Sequence, residues 1–150
     1  MALGPMHPVW SKLYVALAKL AAACGGPFAF VLDEGNGLWC VGLTGSQPTT
    51  ATLEQDRAAD RFYKKEVVPR EATLRRGSRV QVVCAEGQDL YVGLSFAGIY
   101  LVVVWFDAPF EPFLVLAEIR RALPEIEALT LALPPSGGPG TDAGAAKIRA

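Results

Sequence analysis

The chain has 150 residues, of which 51% are apolar and 19% charged, and its 14 basic and 15 acidic side chains leave a net charge of −1. This balance predicts one globular domain with a sizeable core and excludes an extensively disordered chain. A charge so close to zero argues against nucleic acid or an anionic membrane surface as the partner.

The N-terminal residues 1–8 hold two prolines and the only histidine, His7. They are predicted to be an extended lead-in without the features of a signal peptide, and they give no support for histidine-based catalysis. The three cysteines, Cys24, Cys40 and Cys84, lie far apart and lack metal-ligand spacing. They indicate reduced thiols in a cytoplasmic protein, with neither a metal nor a cofactor expected.

The first predicted elements are a helix and a hairpin. Apolar residues recur at three- and four-residue steps over 9–24, and Gly-Gly-Pro at 25–27 then ends the helix. Predicted strands over 28–33 and 38–44 flank DEGNG (33–37), which is typical of a tight turn between antiparallel strands.

The middle of the chain is predicted to be a helix over 51–68 that Pro69 stops. Its apolar stripe is thin, so the helix should cover other elements rather than nucleate a core. Residues 57–79 hold eight Arg and Lys against three acids, a local net charge of +5.

The stretch LYVGLSFAGIYLVVVWF (90–106) has seventeen residues without a charge. As a helix it would be about 26 Å long, shorter than the roughly 30 Å hydrocarbon core of a bilayer. Its β-branched and aromatic second half predicts two strands instead, 90–96 and 99–106, preceded by a strand within RVQVVCAE (79–86). No membrane insertion is expected.

The predicted strand 99–106 is apolar on both faces, so it should be central in its sheet and covered on both sides. The two terminal helices can cover one face, whereas the polar middle helix is predicted to be insufficient for the other. This shortfall predicts a partner, most simply a second copy of the chain.

The last segment is predicted to be helical from Pro112, with Asp107 capping the region before it and Pro124 kinking or restarting the helix. Residues 125–133 fit a short helix better than a strand, and 134–150 are predicted to be a flexible tail. The fold class is therefore α+β, a five-stranded antiparallel sheet in the order α-β-β-α-β-β-β-α, with the terminal helices on one face.

These features resemble the roadblock/LC7 family over residues 9–133. The resemblance rests on FAFVLDEGNGLWCVGL (28–43), on the three-strand run 80–106 and on the closing helix from Pro112. Longin, profilin-like and PAS-like domains share parts of this layout. The turn 34–37 departs from the commoner Gly-x-Asp-Gly of the family.

The resemblance implies a small, non-enzymatic, dimeric adaptor or regulator of a Ras-like GTPase. Bacterial members of the MglB and MglC type control the polarity GTPase MglA, and the excess of Arg over Lys, nine against five, is compatible with a GC-rich bacterial source. The partner across the dimer would be the same chain or another roadblock protein. By position in the family, the dimer face would include Leu53, Ala59, Phe62, Tyr63, Val80, Val82 and Cys84.

Two interpretations remain open for the basic residues Arg57, Arg61, Lys64 and Lys65. They fit a solvated helix face with i,i+4 ion pairs, and they also fit an electrostatic docking surface for an acidic partner such as the GTPase.

The rival function is a PAS-like or profilin-like small-molecule sensor, or a generic scaffold domain. A sensor needs a cavity, which the Gly-containing strand 90–98 could provide. The adjacent acids Asp33 and Glu34 are explained by turn chemistry rather than catalysis. The three tryptophans are expected in the core rather than in a ligand cage; they are Trp10, Trp39 and Trp105.

Overall fold

The computed structural model describes residues 8–35, 37–44 and 53–132. The predicted tail 134–150, the lead-in before Pro8 and Asn36 of the predicted turn lie outside these residues. The elements in chain order are α1 (Pro8–Cys24), β1 (Phe28–Asp33), β2 (Leu38–Leu43), α2 (Leu53–Phe62), a π-helical segment (Tyr63–Val67), a 3-10 turn (Val68–Arg70), α3 (Glu71–Arg75), β3 (Gln81–Cys84), β4 (Leu90–Phe96), β5 (Tyr100–Phe106) and α4 (Pro112–Leu131).

The five strands form one antiparallel sheet in the order β2-β1-β5-β4-β3. This order confirms the predicted α+β class and places β5 at the centre, as its two apolar faces required. A tight turn joins β4 to β5, with Ala97 and Gly98 at φ of 53° and 86°. Within the described residues, no helix is long and apolar enough to cross a membrane.

Helices α1 and α4 cover one face of the sheet, which confirms the predicted placement of the terminal helices. Their apolar stripes bury Leu13, Leu17 and Ile119 against the side of β5 that carries Val102 and Val104. Because β2 has only hydrogen at Gly42, α1 approaches that strand closely, and a Cβ there would lie 2.4 Å from the backbone nitrogen of Ala18. Trp10 is buried in the same layer, as expected.

The opposite face of β5 is covered within the single chain, so the expectation that a lone copy cannot shield it is wrong. Leu101, Val103 and Trp105 are all buried on this side. The physical reason is that the cover is larger than predicted, because α2 is followed by the π-helical segment and α3. These additions bring Val67 and Leu74 into the core beside Phe62.

Pro69 does not stop the helical region as predicted, and Pro124, which was predicted to kink or restart the last helix, does not divide it in two. Pro69 lies in the first turn of the 3-10 segment, where its missing N–H costs little, and the chain continues into α3. Pro124 lies inside an uninterrupted α4, because burial of Ile119 and Ile126 on its two sides outweighs the lost backbone bond. Residues of the ambiguous segment up to 131 are thus helical.

The capping residue of α4 is not Asp107 but Glu111. The backbone N–H of Phe113 donates to Oε1 of Glu111 at 3.2 Å. A capping side chain must lie next to the first free N–H groups of the helix, so the position of the helix start determines which residue caps it. The sequence analysis placed the cap at the end of β5 and therefore favoured the wrong acid.

Candidate interaction surface

Strand β3 forms one end of the sheet, and among the described residues it pairs only with β4. Buried Ser95 anchors it: the Val80 N–H donates to Oγ of Ser95 at 2.6 Å, and the Ser95 N–H donates to the Val80 carbonyl at 2.8 Å. Val83 points away from α2 and is 41% exposed. An edge with an exposed branched apolar residue is a template for pairing with another strand.

An exposed apolar part of α4 borders the same edge. The Arg120 guanidinium donates to Oε1 of Gln81 on β3 at 2.7 Å. Phe113, seven residues earlier, lies on the same side of the helix and is 81% exposed. Because Val83 shares a strand face with Gln81, the exposed side of β3 continues into the exposed side of α4. These exposed apolar side chains are available for contact with a partner.

The residues assigned by resemblance to the dimer face are mostly inside the chain. Four of these side chains are buried in the core under α2: Ala59, Phe62, Val80 and Val82. Their assignment to a dimer interface stays a prediction. Tyr63 and Cys84 are half-buried, and the side chain of Leu53 lies outside the described part of the structure. Any contact through this region would use the exposed positions beside the buried ones.

The four basic residues of the predicted docking surface are all exposed, and two of them form ion pairs, while their role in docking stays a prediction. Arg61 pairs with both carboxylate oxygens of Asp89 at 3.0 and 3.1 Å. Lys64 of the π-helical segment pairs with Asp60 of α2, four residues earlier, at 3.0 Å. These two cations are therefore partly neutralised while remaining at the surface.

A buried polar network lies beneath this basic surface. The Glu66 carboxylate accepts from the Arg70 guanidinium at 2.8 Å and from the Tyr91 hydroxyl. Arg70 also donates to the Glu66 carbonyl at 2.9 Å. Glu66 belongs to the π-helical segment, and such segments are frequent at functional sites. The network joins the segment to β4.

Sequence reasoning missed this network, because Glu66 was counted only among the acids of a basic segment. One signal could have found it: Glu66 follows buried Phe62 by four residues, so helical spacing already places the two on one side. Burial, together with the neighbouring Glu66 carboxylate, raises the pKa of Tyr91 above its ordinary value of 10.0.

We expect the free energy of unfolding to fall as the pH rises above about 10, by about 1.4 kcal/mol per pH unit for Tyr91, because the unfolded chain loses this proton first. Below that pH the contribution is fully present. Tyr91→Phe should cost about 1–3 kcal/mol at neutral pH, since Glu66 loses a buried donor, and should flatten the alkaline decline. Urea titrations of the wild type and Tyr91→Phe at several pH values near and above about 10 measure the free energy of unfolding. An equal decline of this free energy with pH in the two proteins would contradict the prediction.

The hairpin acids have structural partners. Oδ1 of Asp33 accepts from the backbone N–H groups of Gly35 and Gly37 at 2.9 and 2.8 Å. Glu34 pairs with Arg75 at 3.2 Å. The bonds of Asp33 confirm the turn-chemistry interpretation for that acid, whereas Glu34 instead joins the hairpin to α3. Among the described residues, no group of three or more His, Cys, Asp or Glu side chains could hold a metal ion.

The cavity that a small-molecule sensor would need is not formed at the glycine of β4. A Cβ added at Gly93 would lie 3.0 Å from Cζ of Phe62 and 3.1 Å from Cγ2 of Val82. Trp105 is buried in the same layer, as expected, whereas the side chain of Trp39 lies outside the described part. Gly93 thus admits the Phe62 ring rather than a ligand.

The described residues form an α+β domain in which the β3 end of the sheet, paired only with β4 among these residues, lies beside exposed basic side chains. A scan against protein-family models and a search of curated proteins give no match. Among solved structures, the chain is similar to MglB of Myxococcus xanthus, at 15% identity and a TM-score of 0.59 over 82% of this chain and 98% of that one.

Two further structures give the same result. The gliding protein MglB of Thermus thermophilus matches at 14% identity and a TM-score of 0.60, over 79% of this chain and 89% of that one. Myxococcus xanthus MglC matches at 15% identity and a TM-score of 0.56, over 78% and 98%. At such low identity these matches establish the fold, and they are the bacterial proteins to which the resemblance in sequence pattern pointed.

Proposed function

We propose that this chain is a non-enzymatic, cytoplasmic roadblock/LC7 protein that works as a dimer and binds a small Ras-like GTPase of the MglA type in a bacterial polarity or motility system. The observation that carries the proposal is the likeness of its fold to MglB and MglC over about four-fifths of the chain. No cofactor is required, because the role is to bind and regulate.

The dimer would form through the β3 edge. Two copies related by a two-fold axis can pair their β3 strands antiparallel, which joins two five-stranded sheets and removes both exposed edges. Val83 and the exposed side of α4 would then meet their counterparts near the axis. Another roadblock protein could occupy the same edge.

We expect the wild-type chain to sediment as a dimer at micromolar concentration and Val83→Arg to sediment as a monomer. Val83 is exposed, so the substitution leaves the core intact but brings two like charges together at the axis, weakening association at least about 100-fold. Val15→Arg is the matched control, because Val15 is 43% exposed on α1. A monomeric wild type, or equal effects of the two variants, would contradict an interface at β3.

The GTPase would contact the basic surface of α2. An affinity capture from the native host, followed by identification of the bound proteins, tests for it directly. The captured GTPase, once purified, should change its rate of nucleotide hydrolysis or release when the chain is added. Absence of any GTPase among the bound proteins would refute this part of the proposal.

We expect Arg57→Glu combined with Lys64→Glu to weaken binding of the GTPase about tenfold or more at low salt, with a smaller loss at high salt. Both side chains are exposed, so the change acts on charge rather than on packing. Lys12 is exposed on α1, on the opposite side of the sheet from α2. Lys12→Glu is therefore the control, and it should leave the affinity for the GTPase within about twofold of the wild type. Titrations of the GTPase with each variant at two salt concentrations measure the affinities. Equal losses of affinity for the double variant and for Lys12→Glu would rule out electrostatic steering by this surface.

A further inference from the structure

Two nucleophilic side chains meet at the junction of the π-helical segment and β3. The Nζ of Lys65 lies 3.6 Å from Sγ of Cys84 and donates to it. The same ammonium lies 5.7 Å from the centre of the Tyr91 ring, and Tyr91 is the cross-strand neighbour of Cys84. The pair is therefore held by contacts from three elements.

In the single chain, small oxidants have access to this position. Lys65 is exposed, and Cys84 is half-buried at the strand that ends the sheet. Burial raises the pKa of the Cys24 thiol to about 11 and that of the Cys40 thiol to about 12. Since the thiolate is the reactive form, these two are poor nucleophiles at neutral pH and serve as internal comparisons.

We propose that Cys84 and Lys65 form a reversible oxidative cross-link when the protein meets hydrogen peroxide. In the first step the sulfur of Cys84 attacks peroxide: an S–O bond forms, the O–O bond breaks, and the thiol becomes a sulfenic acid with release of water. In the second step the Lys65 ammonium gives one proton to solvent and its nitrogen attacks this sulfur: an S–N bond forms, the S–O bond breaks, and the hydroxyl leaves with a second amine proton as water. The sulfur loses two electrons overall, and one peroxide is reduced to two waters.

The cross-link has a consequence for the surface around it. It ties the π-helical segment covalently to β3, and it removes the positive charge of Lys65 from the basic surface that this segment shares with α2. Oxidation would therefore fasten the segment above the Glu66 network and weaken attraction to an acidic partner. The chemistry itself depends only on the Lys65–Cys84 contact and stands whether or not the chain binds a GTPase.

The test is peptide mass mapping of the full chain after treatment with hydrogen peroxide, without a reducing step. We expect a linked pair of peptides that contain Lys65 and Cys84, lighter by two hydrogen atoms than the sum of the separate peptides. Treatment with dithiothreitol should return both peptides to their original masses, because a thiol displaces the amine from sulfur.

Two variants serve as controls. Lys65→Arg keeps the positive charge but replaces the amine by a guanidinium that stays protonated, and it should abolish the linked peptide while leaving Cys84 oxidisable. Cys84→Ser should abolish both. The proposal is overturned if Cys84 of the wild type stays reduced, if it gives only sulfinic acid or a disulfide between two copies, or if other lysines link to it as often as Lys65 does.

Discussion

Gly42→Ala is expected to destabilise the protein by about 3 kcal/mol or more. A Cβ at this position would lie 2.4 Å from the Ala18 nitrogen and 2.5 Å from Cβ of Leu17. The first of these is backbone, so relief requires α1 to move away from β2 and not merely a change of rotamer. That movement would loosen the packing of Leu13 and Leu17, both fully buried.

The matched control is Gly35→Ala in the hairpin turn, where the added Cβ would lie 3.6 Å from Oδ1 of Asp33, an ordinary contact. Urea denaturation should place this variant within about 0.5 kcal/mol of the wild type. If Gly42→Ala is equally mild, α1 does not approach β2 as closely as described. If it fails to accumulate while the control folds normally, the steric account is supported.

The sequence predicted most of the fold because its strongest signals are local. Because side chains alternate in direction along a strand, the predicted strand 99–106 separated Leu101 and Val103 from Val102 and Val104, and the structure places the two pairs on opposite faces of a central strand. Gly98 and the turn acids marked the tight connections correctly. Periodicity and turn chemistry are properties of neighbouring residues, so a single sequence carries them in full.

The cover of the second sheet face could not be predicted in the same way. It depends on the chain continuing beyond Pro69 into α3, where Leu74 becomes buried, and a proline is usually an end signal. The cover depends also on the π-helical turn. Such a wide turn has no sequence signature and could not be predicted. Tertiary packing determines both the continuation into α3 and the π-helical turn. The sequence interpretation therefore assigned the cover of the second sheet face to a partner, although the chain covers that face itself.

This correction changes the basis of the proposed dimer. If β5 needed a second copy for cover, folding and association would be inseparable. With Trp105 and Val103 already buried in one chain, the proposed association would not be needed to cover β5 and would rest on the β3 edge and the exposed side of α4. The Val83→Arg monomer should accordingly keep the stability of a folded domain.

The intramolecular cover is tested most strongly at Phe62, which is fully buried and packs edge-on against Tyr91 with ring centres 5.0 Å apart. We expect Phe62→Ala to cost about 3–5 kcal/mol, because it opens a cavity between α2 and the sheet. Tyr63→Ala, at the half-buried neighbouring position, should cost clearly less. Denaturation of the monomeric Val83→Arg background measures both without a contribution from association.

A mutant cycle with Gly93 identifies the contact itself. Gly93→Ala alone should be destabilising, since its Cβ would lie 3.0 Å from the Phe62 ring and 3.1 Å from Val82. Phe62→Leu shortens the side chain above that Cβ, so the double variant should lose less stability than the sum of the two single changes, by about 1 kcal/mol. Strict additivity would mean that Phe62 does not lie over β4, and the second sheet face would again require a partner.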